Sequence, residues 1–365
     1  MPEKRHRRNV LRVIIVAELV VALMTAATVV YAFNHLDSNL EALPELEHEV
    51  EKPPAEPEQP KTPLNILVMG SDSRDCDGCD IDTESGEGGS DTTMLLHVSA
   101  DRKTAYGVSF ARDTMVRRPA CEVDGKTIPG ADPSIFNVAF ALGGPLCTVQ
   151  QVEAITGIYI DHTVVVNFAG FEGMGDAVHG VEVCVPFEVD DPAHGIHLDA
   201  GTRLVSGREA LNYVRERHVL SVNSDIGRMK RQQAFVASMV NRVLSADTLT
   251  NPNRLYRFLD AATQSVQLDP DLASLGKLFD LARELDGIDL RRIKFVTVPI
   301  ETYPADPNRL QFAPGAESLW QHIKSDQPLG ALGRGAISAS DDVGSPNGGA
   351  DGESADERRA NGLCA

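Results

Sequence analysis

The sequence predicts an α/β fold with a mixed central β-sheet sandwiched by helices, preceded by one transmembrane helix. Three observations carry this prediction. Short β-branched runs recur along the 365 residues, helical patterns stand between them, and one long apolar stretch lies near the N-terminus. With 42% hydrophobic residues, a chain of this length can bury a sizeable core.

Residues 1–9 form a basic tail that includes Lys4, Arg5, Arg7 and Arg8. Residues 10–33 are apolar apart from Arg12, Glu18 and two threonines, long enough to span a bilayer and longer than the core of a cleavable signal. Basic residues in front and acidic residues behind place the N-terminus in the cytoplasm and the rest of this single-pass chain outside the cell membrane. Residues 34–62, rich in Glu and Pro and without apolar periodicity, read as an acidic extended spacer. Residues 63–326 carry the folded domain. Residues 327–365, rich in Gly, Ala, Ser and Asp, read as a disordered tail.

Within the domain, strands are expected at 64–69, 94–98, 106–110, 164–167, 181–185 and 293–300. The polar turn Asp101-Arg102-Lys103 makes the second and third of them a hairpin. Helices are expected at 149–155, 171–178, 207–218, 226–244, 272–285 and 317–323, with Ser206 and Glu209 as a capping box for the third. The 171–178 helix could wall an apolar channel, but it reads better as core. Six cysteines fit an oxidising exterior. Cys121 with Cys147 is the preferred pair, Cys76 and Cys79 suit a small loop disulfide better than a metal site, and Cys184 is left open between a thiol and a bridge. His194 and His197 read as solvated loop residues.

The charge is acidic throughout. The chain is net −19, and residues 63–326 alone hold 37 acids against 24 bases. A general nucleic-acid binder is therefore excluded, because phosphate backbones are held by a cationic field. A local anion site is not. If the first strand runs antiparallel to the second, Asp72 and Arg74, Asp91, and Arg112 with Asp113 meet at one sheet edge. Carboxylates and two arginines at strand ends suit a metal and a phosphate, against the alternative of solvated loop residues. On the 226–244 helix, Val236, Met239, Val240 and Val243 mark the buried face. Asp225, Arg228 and Gln232 extend it, while Arg231 is expected nearer solvent. In the preceding helix Arg217 falls on the inner face, Arg215 on its border, and Glu216 points away. Converging guanidinium groups bind phosphate oxygens in planar forks.

The segments Gly70-Ser71-Asp72-Ser73-Arg74, Ser90-Asp91-Thr92-Thr93-Met94, Ser109-Phe110-Ala111-Arg112-Asp113, Phe136-Asn137-Val138-Ala139-Phe140, Tyr213-Val214-Arg215-Glu216-Arg217 and Asp225-Ile226-Gly227-Arg228 with Arg231-Gln232-Gln233 occur in the order found in LytR-CpsA-Psr proteins. The chain resembles that family over about residues 63–326. The resemblance implies a membrane-anchored enzyme that moves a glycopolymer from a polyprenyl-diphosphate carrier to a peptidoglycan acceptor. It also implies Mg2+ held near Asp72 and Asp91. The diphosphate would be gripped by Arg74, Arg112, Arg215, Arg217, Arg228 and Gln232, with Asp225 in support. Ala111 stands where the family usually has Pro, and residues 75–90 form an acidic insertion. In the implied reaction a muramic-acid hydroxyl attacks the sugar-proximal phosphorus, releasing polyprenyl phosphate and leaving a phosphodiester. Asp113, a metal-bound water and a perturbed Arg112 all remain open as proton acceptor. A polyprenyl-diphosphate phosphatase and a non-catalytic cell-surface regulator are the alternative readings.

Overall fold

The computed structural model describes residues 2–54, 61–71, 89–123, 125–192, 195–216, 219–220, 224–341 and 354–364. Helix α1 (Pro2–Ser38) is followed by β1 (Glu41–Ala42), β2 (Leu64–Ser71), β3 (Ser90–Val98) and β4 (Ala105–Phe110). A loop-rich excursion holds β5 (Met115–Arg118), β6 (Cys121–Val123), β7 (Lys126–Ile128) and β8 (Ala131–Ile135). Next come α2 (Val138–Thr156), β9 (His162–Asn167), α3 (Phe168–Ala177), β10 (Val181–Val185), β11 (Val189–Asp191), β12 (Ile196–Leu198) and β13 (Gly201–Val205). They lead into α4 (Gly207–Arg215), α5 (Ser224–Leu244), α6 (Ala246–Leu249), α7 (Pro252–Thr263), β14 (Val266–Leu268) and α8 (Leu275–Leu285). The chain continues through β15 (Ile293–Thr297), β16 (Ile300–Thr302), β17 (Leu310–Phe312), α9 (Gly315–Lys324), β18 (Ile337–Ser338) and α10 (Ala355–Ala360).

Among the described residues, eight strands form one mixed sheet in the order β1-β14-β9-β2-β3-β4-β15-β18. β2, β3 and β4 are antiparallel neighbours, whereas β9 joins β2 and β15 joins β4 in parallel. The hairpin turn forms where its polar residues place it, with Arg102 at φ 55°. Alternation along the strands sends side chains to two faces. Leu67, Met69, Leu95, Val108 and Phe110 join Val149 and Val152 of α2 and Trp320 of α9 in one core. Met94 and Phe295 meet Ala234 and Ala237 of α5 in another. The sheet is therefore sandwiched by helices, as its composition predicts. A third cluster packs α3, α4 and α5 over the β10–β13 pair, and the Phe171 ring lies 4.8 Å from that of Phe235. Residue 171 of the candidate channel helix is thus set against core.

Several expectations change. Residues 11–31 of α1 are exposed, and α1 is long and apolar enough to cross a membrane. Its last turn is docked: Leu36 is 5% exposed, and His35 Nε2 lies 3.0 Å from Asp260 Oδ1. Segments of residues 41–52, expected to be free spacer, are docked on the domain. β1 pairs with β14, and the Glu49 N–H donates to the wholly buried Glu153 carboxylate at 2.7 Å. Leu36 and Leu43 supply the burial without showing a period. The strand expected over 293–300 breaks at Pro299, which lacks an N–H for the ladder. The capping box of α4 does not form: Ser206 makes no side-chain cap, and Arg203 holds the Glu209 carboxylate at 2.8 Å.

The expected tail is partly structured. Leu329, Ala336, Ile337 and Leu363 are buried, and β18 forms the sheet edge beside β15. Cys364 is bonded to Cys184, so Cys184 is a bridge rather than a thiol. Cys121 pairs with Cys147 as the sequence suggests. Cys76, Cys79 and His194 lie outside the described residues.

Candidate active site at the sheet edge

β4 delivers Arg112 and Asp113 to the edge where β2 ends and β3 begins. Phe110 is anchored by the rings of Phe136 at 5.2 Å and Trp320 at 5.6 Å. The chain then turns, with Thr114 N–H donating to Ala111 O at 3.2 Å, so alanine supports this turn without a proline. Asn137 ties the turn to β3. Its N–H donates to Arg112 O at 3.1 Å, and its Oδ1 accepts from Ser90 N–H at 3.1 Å.

α5 brings its N-terminus to the same edge. Gln233 fixes that placement by donating to Ser109 Oγ and Thr297 Oγ1, both at 3.0 Å, on the paired ends of β4 and β15. Arg228 Nη2 lies 3.0 Å from Asp225 Oδ1. Arg112 Nε lies 3.7 Å from that oxygen and 3.4 Å from Asp113 Oδ2. Arg309 Nη1 lies 2.5 Å from Asp113 Oδ1. Three guanidinium groups therefore surround two carboxylates, and the positive end of the α5 dipole adds to the local field. Arg228 is 2% exposed, whereas the side chains of Arg112 and Asp225 are 23% and 24% exposed. The cluster is walled on one side and open on the other.

Burial pushes the Asp113 carboxyl above its ordinary value, and the hydrogen bond it shares with Asp225 pushes the same way. The Arg112 and Arg309 charges oppose that rise. Asp113 is thus a carboxyl whose affinity for a proton exceeds that of a solvated aspartate.

The sequence candidates separate into three groups. Arg112, Asp113, Asp225 and Arg228 are brought together. Gln232 is 8% exposed and donates to Val214 O at 3.3 Å, tying α5 to α4, and Arg215 closes α4 at that junction. Asp72, Arg74 and Arg217 lie outside the described residues, and of Asp91 only the backbone is described. That backbone stands at a bulge: Gly70 pairs with Thr92 and Ser71 with Ser90, leaving Asp91 as the extra residue beside the end of β2. Arg309 was not foreseen, because it reaches Asp113 through the Thr114–Leu310 bridge, a contact between distant segments. Two orientations are corrected. Arg231 is 0% exposed rather than near solvent, and Glu216 is 1% exposed rather than pointing away. The C-terminal segment covers them.

A sequence profile described as the LytR_cpsA_psr family matches residues 28–324. Cell wall biosynthesis protein LcpA of Corynebacterium glutamicum is 34% identical over 262 residues, covering 65% of this chain and 50% of that protein. The chain thus spans about half the length of LcpA, and 46% of LcpB from the same organism is matched. The polyisoprenyl-teichoic acid–peptidoglycan teichoic acid transferase TagU of Oceanobacillus iheyensis is 30% identical over 74% of this chain and 73% of its own. The solved structure described as TagT bound to LI-WTA superposes with a TM-score of 0.58 over 78% of this chain and 99% of that one, at 22% identity, which is a likeness of fold. The profile match spans most of the chain and takes in every segment that builds the sheet edge, so the chain belongs to the LytR-CpsA-Psr family.

Proposed function

We propose that this protein is a phosphotransferase that moves a glycopolymer from a polyprenyl-diphosphate carrier to a muramic-acid hydroxyl of peptidoglycan. The observation that carries the reading is the Arg112–Asp225–Arg228 cluster with Asp113 at an open sheet edge. In a chain of net charge −19, this is a local anion site suited to a compact diphosphate rather than a long polyanion. The naming of TagU and other relatives as teichoic acid transferases supports the same reading.

Arg112 and Arg228 would hold phosphate oxygens in exchange for part of their contact with Asp225, and Arg74, Arg215, Arg217 and Gln232 are proposed to complete the grip. The acceptor hydroxyl oxygen forms a bond to the sugar-proximal phosphorus as the bridging P–O bond breaks. The electron pair leaves on polyprenyl phosphate, and the product is a sugar phosphodiester. The hydroxyl proton passes to Asp113, whose raised proton affinity suits a general base. The guanidinium groups neutralise charge that spreads over the phosphoryl oxygens at the transition state. Asp72 and Asp91 offer hard carboxylate oxygens, the donors that magnesium prefers, and the Asp91 bulge stands beside the end of β2, which precedes Asp72 in the sequence. When bound there, Mg2+ supplies further neutralisation of the diphosphate. We propose α1 as the single-pass anchor, with the N-terminus cytoplasmic and the domain outside.

The test incubates the full chain with a polyprenyl-diphosphate-linked glycan, with and without peptidoglycan. Polyprenyl phosphate should be released only with acceptor present, and Arg112→Ala should abolish release while the far-UV spectrum is kept. Equal release without acceptor would identify a phosphatase. Normal transfer by Arg112→Ala would refute the site.

A further inference from the structure

We propose that the C-terminal residues 354–364 form a strap that positions the Arg215-bearing end of α4, acting through Arg231. The inference rests on the diphosphate site proposed above. Arg231 sits on α5 beyond Arg228, and its guanidinium is 0% exposed. It donates to the carbonyl of Glu216, and it lies 3.5 Å from the Glu216 Oε2. The Glu216 carboxylate in turn accepts from Val219 N–H at 2.6 Å and Leu220 N–H at 2.8 Å. One buried ion pair thus holds the C-cap of α4, the residue next to Arg215.

A buried guanidinium needs its donors filled, because a buried charge left short of partners is costly. The strap fills one of them. Asn361 O accepts from Arg231 Nη1 at 3.5 Å. Gly362 passes so close that a Cβ there would stand 2.5 Å from Leu220 O and 2.7 Å from Arg231 Nη1, and its φ is +71°. Only glycine tolerates both the approach and the left-handed backbone. The strap is secured at its far end. Leu363 is 5% exposed beside Ala234 and Phe295, Arg358 Nε donates to Cys364 O at 2.8 Å, and Cys364 is bonded to Cys184 of β10. A plain covalent staple would not have to touch the Arg231–Glu216 pair. Here the strap backbone supplies an acceptor to that pair and rests against Leu220.

Arg231 is therefore a positioning residue rather than a diphosphate ligand. The discriminating variants are Gly362→Ala, which displaces the contact with the disulfide intact, and the Cys184→Ser/Cys364→Ser pair, which frees the strap. Arg231→Met and Arg231→Lys complete the set. Each full-length protein is solubilised in detergent and checked for folding by its thermal transition. Two quantities are then read: Kd for geranylgeranyl diphosphate, and hydrogen exchange of the Val219 and Leu220 amides. In Gly362→Ala the two amides should exchange faster and Kd should rise by about tenfold, the scale of one lost buried hydrogen bond. Arg231→Lys, keeping a charged donor, should lose less than Arg231→Met. Combining Gly362→Ala with Arg231→Met should weaken binding no more than Arg231→Met alone, since both act through one contact. A lowered thermal midpoint with unchanged Kd and unchanged exchange in Gly362→Ala and the cysteine pair would reduce the strap to a staple and overturn the proposal. If the unaltered protein binds no geranylgeranyl diphosphate, the diphosphate site fails instead. The amide exchange then decides the strap alone, and unaltered exchange in Gly362→Ala overturns it.

Discussion

Arg309→Met removes the guanidinium that lies 2.5 Å from Asp113 Oδ1 and leaves an apolar side chain of similar reach. The pair is partly exposed, with side-chain exposures of 34% and 22%, so solvent screens much of the attraction. A half-buried ion pair of this kind couples by about 1 kcal/mol. The sign is fixed by charge: losing a cation disfavours the carboxylate, and burial and Asp225 already push Asp113 upward. With Asp113 as general base, the acidic limb of kcat/KM for glycopolymer transfer should move to higher pH, and Arg309→Lys should move it less. The same shift has a stability consequence. Because Asp113 holds its proton to higher pH folded than unfolded, it contributes stability that is present below the ordinary carboxylate range. That stability is lost as pH rises through the folded value, and Asp113→Asn should remove that slope from urea unfolding. An acidic limb that stays in place or moves down in Arg309→Met would show that Asp113 does not titrate in the reaction.

Asp225→Ala leaves Arg228, whose side chain is 3% exposed, without its carboxylate partner. Asp225 is itself partly exposed, so urea denaturation should show a loss of about 2–3 kcal/mol, the low end for breaking a buried pair. Gly107→Ala would place a Cβ 2.5 Å from the Phe295 ring and 2.9 Å from Met94 Sδ, both buried on one face of the sheet on the strands that flank β4. Overpacking should cost about 1–3 kcal/mol and lower the thermal midpoint, with the diphosphate Kd unaltered at 25 °C. Cys121→Ser/Cys147→Ser opens a bridge across a sequence separation of 26, so the urea midpoint should fall by the equivalent of about 3–4 kcal/mol.

Much of the sheet was legible because its signals are local. The apolar runs of β2, β3 and β4 and the polar turn at Arg102 lie in single short windows, and the structure places them there. The clustering of Arg112, Asp113, Asp225 and Arg228 was legible because they stand at strand and helix ends that the topology brings together. What failed depended on distant partners. The period of α5 could not show that Arg231 is covered by Asn361 and Gly362, or that Glu216 turns inward to meet it. Arg309 joins the site only through the pairing of Thr114 with Leu310. Leu363 and Cys364 are too few apolar residues to give the tail a pattern, yet one bridge and one buried leucine suffice to hold it. Ser206 fits a capping signature that a neighbouring arginine dissolves by taking Glu209.

The most direct measurement is the structure of the full chain with a polyprenyl diphosphate and magnesium. Both phosphates should lie at the edge between β2, β4 and the N-terminus of α5, with oxygens hydrogen-bonded to Arg112 and Arg228 and the sugar-proximal phosphorus facing Asp113. A diphosphate bound elsewhere, with Arg112 and Arg228 still held by Asp225, would contradict it.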